Sequence, residues 1–247
     1  MIAFGATQAM AAPGVFDPTF RAKQGVVAAQ FGIAYQSGYT KDYSSMTDLT
    51  AGDVKVGDVK LAYGIADNLA VTLDTYASGV YANPELGLNY QIMNTKPLGV
   101  DIVGKWGIAL TENAATGERI GNNNLQAGLH LYGQEGQFQW GAWGLAQYVF
   151  DDMGDFWNVL VTLEAQYQLD SMWAIKGTFN YDFLAINEDI VGYDRSLALG
   201  LVYTISKSAA VQPYLAYHFS DTLSGNGYTV HLPNNYWQIG AKFGVQF

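Results

Sequence analysis

Two side chains late in the sequence have the types and the spacing of a hydrolytic site. His218 and Ser220, in the run "YHFSD", lie two residues apart, so in a strand they share one face. There an imidazole base could meet a hydroxyl nucleophile. The pattern therefore makes an ester hydrolase one hypothesis for this chain.

The other residue types that could form a catalytic or metal site do not predict one. The chain has no cysteine, which excludes disulfides, thiolate metal sites and cysteine nucleophiles. His130, in "GLHLYG", is interpreted as a packed histidine rather than a base. The acidic run 151–155 has oxygen ligands but lacks the spacing of a calcium loop, so we predict no metal and no cofactor. A net charge of −10 argues against nucleic acid.

The elements that would position these residues are strands, because most of the chain alternates apolar and polar residues with period two. Tight turns, such as 66–68, alternate with long loops, such as 37–53. In 137–150, Trp140 and Trp143 have opposite parity, which indicates a bulge. The predicted strands, each of a length suited to a tilted bilayer crossing, are 24–36, 54–65, 69–77, 85–93, 98–110, 125–133, 137–150, 158–169, 172–183, 196–205, 210–219 and 235–247.

The placement of charge indicates which face of these strands meets lipid. The 22 acidic and 12 basic residues all avoid the outward face within the predicted span, where a lysine or arginine at the midplane costs about 2–4 kcal/mol. His218 and Ser220 take inward parity. The residues predicted to line the lumen, besides Asp58, are Lys60, Asp74, Asp101, Lys105, His130, Tyr132, Glu164, Lys176, Asp182 and Lys242.

With these features, residues 24–247 resemble bacterial outer-membrane β-barrel proteins, of the monomeric, roughly twelve-stranded, porin-like kind. The most specific motif is the terminal "QIGAKFGVQF", which looks like the signal that the assembly machinery reads on a closing strand; it contains Gln238, Gly240, Phe243, Val245 and Phe247. The resemblance implies an all-β, up-and-down antiparallel barrel in an outer membrane. It implies contact with membrane lipid, lipopolysaccharide and the barrel-assembly machinery.

Residues 1–23 precede the barrel and are open to two interpretations. "AMA" at 9–11 looks like the end of a secretory signal peptide, but the basic start is missing. The alternative is a retained segment, such as a lumen plug or a periplasmic tail.

The resemblance leaves three functions. The favoured one is a channel for passive passage of small hydrophilic solutes. The second is a lipid hydrolase, because His218 and Ser220 are similar to the His-x-Ser of outer-membrane lipid A deacylases; those enzymes hold the pair toward lipid, whereas here it has inward parity. An enzyme is the less favoured interpretation. The third is a closed structural or surface-binding barrel.

Charge also predicts ion selectivity. Counting residues outward from the centre of each tight turn places Lys60 opposite Asp74 and Glu164 opposite Lys176 in the neighbouring strand. Both pairs should therefore be ion pairs. The long loops carry far more acid than base, which predicts a weak cation preference at low salt. The loop acids are Asp42, Asp48, Asp53, Glu85, Glu112, Glu118, Asp151, Asp152, Asp155, Glu188, Asp189, Asp194 and Asp221, against Lys41, Arg119 and Arg195.

Overall fold

The structure is a computed structural model. It describes residues 14–37, 40–42, 47–49, 54–78, 81–95, 97–108, 111–112, 119–120, 123–150, 155–187, 190–219, 222–225, 228–231 and 235–247. Within these ranges, no helix is long and apolar enough to cross a membrane.

Twelve long strands form the wall of the fold, and their bounds lie close to those that the period-two pattern predicts. They are β1 (Val27–Ser37), β2 (Val54–Ala66), β3 (Leu69–Ser78), β4 (Tyr81–Asn94), β5 (Gly99–Gly107), β6 (Asn123–Glu135), β7 (Phe138–Phe150), β8 (Phe156–Gln168), β9 (Trp173–Asn187), β10 (Ile190–Ser206), β11 (Ala209–His218) and β12 (Tyr236–Gln246).

Each strand pairs antiparallel with its neighbours in sequence, and β12 pairs with β1, so the sheet closes into an up-and-down barrel. This confirms the predicted fold class. The bulge predicted in β7 is wrong, because β7 keeps an unbroken register with both β6 and β8. Trp143 simply faces the lumen, where it stacks on His130. Register shifts occur elsewhere, for example between Gly64 and Ala66.

The two ends of the barrel differ. Tight turns join β2 to β3, β4 to β5, β6 to β7, β8 to β9 and β10 to β11, and we call their end the turn end. The opposite end, which we call the loop end, has long connections from β1 to β2, β5 to β6, β7 to β8 and β11 to β12, whereas only two residues separate β3 from β4 and β9 from β10. Short hairpins occur there, formed by Thr40–Asp42 with Thr47–Leu49, Thr111–Glu112 with Arg119–Ile120, and Thr222–Gly225 with Tyr228–His231.

The outer face of the barrel is apolar. Ile33 is 74% exposed and Trp157 is 60% exposed, and exposed large apolar side chains recur on each of the twelve strands except β3. Among the barrel-strand side chains that the structure describes, the charged ones of outward parity are Glu135, at the turn end of β6, and Arg195, six residues into β10 from its loop end. A soluble protein rarely exposes so continuous an apolar surface, whereas a membrane barrel carries such a band around its circumference.

Candidate functional site: the barrel lumen

Ion pairs line the lumen, and two of them cross an intervening strand. On β5, Lys105 Nζ lies 2.9 Å from Asp74 Oδ2 on β3 and 3.4 Å from Glu85 Oε2 on β4. On β12, Lys242 Nζ lies 3.5 Å from Asp58 Oδ2 on β2. Sequence reasoning placed Glu85 at the loop mouth, but the structure places it on the lumen wall.

An inward-facing glycine gives one of these pairs room to cross. Gly32 on β1 lies between Asp58 and Lys242, and a Cβ on it would come within 2.6 Å of Asp58 Oδ1. The Asp58–Lys242 ion pair therefore depends on a glycine in the strand between its members. On β4, Gly87 pairs with both Thr72 and Lys105, and a Cβ there would lie 2.3 Å from Thr72 Oγ1 and 3.4 Å from the lysine Cγ, so this glycine makes room for Thr72.

The predicted pairing of Lys60 with Asp74 is only half right. The two residues are directly opposite in register, as the turn centre predicts. The carboxylate of Asp74 nevertheless binds Lys105, which extends from β5 across β4 to reach it. Lys60 consequently extends into the lumen and makes no direct ion pair within the described part of the chain.

The predicted pairing of Glu164 with Lys176 forms, although in a different register. Lys176 Nζ lies 2.6 Å from Glu164 Oε1. In the ladder, Glu164 is opposite Thr178 and Lys176 is opposite Gln166, because the turn is centred one residue later than predicted. The contact is thus a diagonal one, within reach of a long side chain.

Three predicted lumen residues form a buried cluster toward the turn end. His130 stacks on Trp143 with ring centroids 3.6 Å apart, and its Nδ1 lies 4.0 Å from Asp101 Oδ2. Tyr132 donates a hydrogen bond of 3.2 Å to Asp101. Arg21, which precedes the barrel, approaches Asp101 to 4.0 Å. The cluster is packed against aromatic rings, as the interpretation of His130 expected.

Asp182 lies on the lumen face of β9, directly opposite Asp194 on β10. Among the described residues, no group of three or more His, Asp and Glu side chains is arranged to hold a metal ion.

The structure places one member of the candidate hydrolytic pair. His218 faces the lumen, where its Nε2 lies 2.9 Å from the Gln238 amide oxygen and its ring stacks on Tyr236 at a centroid distance of 4.3 Å. Ser220 lies outside the described residues, so its distance from His218 is not defined. The imidazole is held among lumen side chains rather than toward lipid.

The residues of the C-terminal motif divide between the two faces. Gln238 lies in the lumen and donates a hydrogen bond of 3.2 Å to Tyr214. Gly240 also faces inward, where a Cβ would lie 2.5 Å from the ring of Tyr214. Phe243, Val245 and Phe247 have outward parity, and the Phe247 N–H bonds the Val27 carbonyl as the barrel closes. Recognition of this strand by an assembly machinery stays a prediction.

A stretch of chain before β1 lies inside the barrel, and we call residues 14–24 the inner segment. Val15 and Phe16 are buried at the turn end against small wall side chains, which are Ala28, Ala174, Val202 and Ala210. Pro18 is fully buried. Sequence reasoning left a lumen plug as one option for this region but identified none of its contacts.

Polar wall groups also hold the inner segment. Gln30 donates to the Val15 carbonyl at 2.8 Å, and Lys176 donates to the Phe16 carbonyl at 2.7 Å. Asp17 accepts hydrogen bonds from the Gln139 and Gln166 amides. Burial raises the pKa of the Asp17 carboxyl above its ordinary value, although these hydrogen bonds and one from the Gly14 N–H act in the opposite direction.

Three cavities follow the barrel axis. One of about 410 Å³ lies above the inner segment and is adjacent to one of about 260 Å³, with Lys176, Thr178 and Lys242 lining both. A third, of about 440 Å³, opens at the turn end beside Asp67 and Phe247. Phe20, Arg21 and Ala22 line both the first and the third cavity. The inner segment is therefore the partition between the two sides of the lumen.

Comparison with solved structures shows where this architecture occurs. The COG4313 outer membrane channel from Pseudomonas putida F1 superposes with a TM-score of 0.64 at 10% identity, over 96% of this chain and 99% of that one. The NanC porin gives 0.58 at 13% identity, over 87% and 98%. The KdgM porin, in complex with disordered oligogalacturonate, gives 0.55 at 10% identity, over 87% and 98%. No protein-family profile and no curated protein matches the chain.

The chain thus has the fold of outer-membrane porins and channels, as the sequence resemblance implied. Its apolar outer band and its polar, charged lumen are those of a membrane-spanning barrel of this type.

Proposed function

We propose that the protein is a channel of a bacterial outer membrane that passes small hydrophilic solutes by passive diffusion. The observation that carries this proposal is the adjacent pair of polar cavities, about 410 and 260 Å³, inside a barrel with an apolar exterior. Their walls contain amide, hydroxyl and charged side chains, which replace part of the hydration of a polar solute. By the rule for such barrels, the turn end faces the periplasm.

The lumen charge supports a slight preference for cations. With Glu85 and Asp194 added to the five acids expected from sequence, the wall has seven carboxylates against four lysines. The inner segment adds Asp17 against Arg21 and Lys23, which leaves the carboxylates in excess. Most of the loop-end acids lie outside the described side chains, so their field enters as an expectation from sequence. That field weakens as the Debye length falls from about 30 Å at 0.01 M salt to about 3 Å at 1 M.

Liposome swelling tests solute passage directly. Vesicles that contain the purified protein should swell in small neutral polyols faster than in disaccharides, because the narrow lumen excludes larger solutes. Vesicles without protein and vesicles with heat-unfolded protein are the controls. The proposal would be contradicted, and the closed structural barrel favoured, if vesicles with folded wild type and vesicles with a folded Phe16→Ala variant, which weakens the packing of the inner segment, both swelled at the control rate.

A further inference from the structure

At the turn end the lumen wall has an apolar patch that a water-filled pore does not require; we call this patch, formed by Ala28, Ala174, Val202, Ala210 and Gly244, the seat. At the turn end, inward positions that carry Gln, Lys or Thr elsewhere are alanine, valine or glycine, and they contact Val15 and Phe16. Gly244 of β12 shows most clearly that the wall leaves room for the inner segment, because a Cβ there would lie 2.1 Å from Val15 Cγ1. Gly64 likewise leaves room for the Lys23 carbonyl, which would lie 1.9 Å from a Cβ. The barrel is shaped around the inner segment.

The bonds that hold the inner segment can be exchanged for others. Lys176 keeps its ion pair with Glu164 if the Phe16 carbonyl leaves. Gln30 lines the cavity above the segment, where water can replace the Val15 carbonyl. At the other end of the segment, Arg21 Nη1 donates a hydrogen bond of 3.0 Å to the Asp67 carbonyl, and Arg21 Nε lies 4.0 Å from Asp101 Oδ2. Asp101 and Asp67 line the cavities on the two sides of the segment, where water can replace the guanidinium.

The inner segment is also joined to the barrel at a defined point. The Gly25 N–H bonds the Gly64 carbonyl, the Gly64 N–H bonds the Val26 carbonyl, and β1 begins at the next residue. Gly25 has a φ of 76°, a conformation that glycine adopts without strain, and a Cβ there would have nothing within 4 Å. A turn of the chain about Gly25 breaks the bonds from the Gly25 N–H to the Gly64 carbonyl and from the Val26 N–H to the Lys23 carbonyl, and it leaves the pairing of β1 with β2 in place.

We propose that the inner segment is a gate: seated on Val15 and Phe16 it closes the lumen at the turn end, and unseated it joins the cavities on its two sides into one pore. The inference rests on the proposed channel function. Because Phe20, Arg21 and Ala22 form the partition between the cavities, movement of this one segment is enough to open the path.

A disulfide across the seat tests the gate, and the absence of native cysteine makes the new pair unique. A Cβ on Gly141 would lie 3.2 Å from Pro18 Cβ, close to the disulfide mean of about 3.8 Å. In the Pro18→Cys/Gly141→Cys variant, with the disulfide verified by mass spectrometry, conductance should fall on the order of tenfold and return with reductant. The two single-cysteine variants should not respond to reductant.

Phe16→Ala tests the opposite direction, since it empties the apolar seat. The ratio of open to closed time should rise on the order of tenfold, because the burial of one phenyl ring is lost. Phe31→Ala, at a lipid-facing phenylalanine 47% exposed, is the matched control and should leave gating unchanged.

The outcomes separate the gate from the channel. A silent wild type with a conducting Phe16→Ala variant supports a gate that rests closed. Conduction that the verified disulfide does not reduce refutes the gate and leaves the channel standing. Silence of folded wild type and folded Phe16→Ala alike refutes the channel and the gate with it.

Discussion

Lys176 joins the lumen wall to the inner segment, so its removal should have a large and specific effect. Its Nζ lies 2.6 Å from Glu164 Oε1 and 2.7 Å from the Phe16 carbonyl, and the two charged side chains are 9% and 17% exposed. Lys176→Met keeps most of the stem but leaves Glu164 without its cation. Breaking a buried pair from one side costs about 3–5 kcal/mol.

Because lumen water reaches Glu164, the lower end of that range applies, at about 3 kcal/mol. The lost hydrogen bond to Phe16 adds about 1 kcal/mol. The double variant Lys176→Met/Glu164→Gln removes both charges, and it should recover about 2 kcal/mol or more of the loss, since no unpaired charge remains.

Denaturant unfolding in detergent, followed by the difference in gel migration between folded and unfolded protein, measures these free energies. Equal stability of the single and double variants would refute the reasoning, because the loss would then not come from an unpaired Glu164. In planar bilayers, Lys176→Met should also increase cation preference as long as Glu164 stays ionised.

Three further substitutions test separate parts of the account. Gly32→Ala should cost about 1–3 kcal/mol of unfolding free energy, because its Cβ displaces the Asp58 carboxylate, whereas Gly144→Ala, in open space, should cost under about 0.5 kcal/mol. Lys60→Gln should move the reversal potential toward cations at low salt, since the lumen loses one positive charge. Ser220→Ala should leave lipid and lipopolysaccharide acylation in the host membrane unchanged by mass spectrometry; a loss of acyl release specific to this variant would favour the hydrolase.

The pairing of residues in two strands joined by a tight turn could be predicted from sequence. Contacts that cross an intervening strand, and so involve three strands, could not. The 66–68 turn fixes the register, so Lys60 opposite Asp74 follows from counting residues. The actual partner of Asp74 is Lys105, which reaches it from β5 across β4. Predicting that contact requires knowing which strands are neighbours and which long side chain crosses the strand between them.

The inner segment escaped prediction for a different reason. Residues 14–24 have no period of two or of 3.6, and their contacts are with residues far along the chain, such as Gln139 and Gln166. A usable signal does exist in the wall, since Gly64, Gly244 and the alanines of the seat take inward parity at the turn end. Small residues clustered at one end of a polar lumen indicate that something occupies it.

The reversal potential in planar bilayers under a potassium chloride gradient tests the central claim most directly. Folded protein should conduct, with a reversal potential that favours potassium at low salt and approaches zero selectivity at high salt, as screening removes the field of the loop-end acids. Anion preference would contradict the placement of charge. If folded wild type and folded Phe16→Ala both fail to conduct, the channel itself is contradicted.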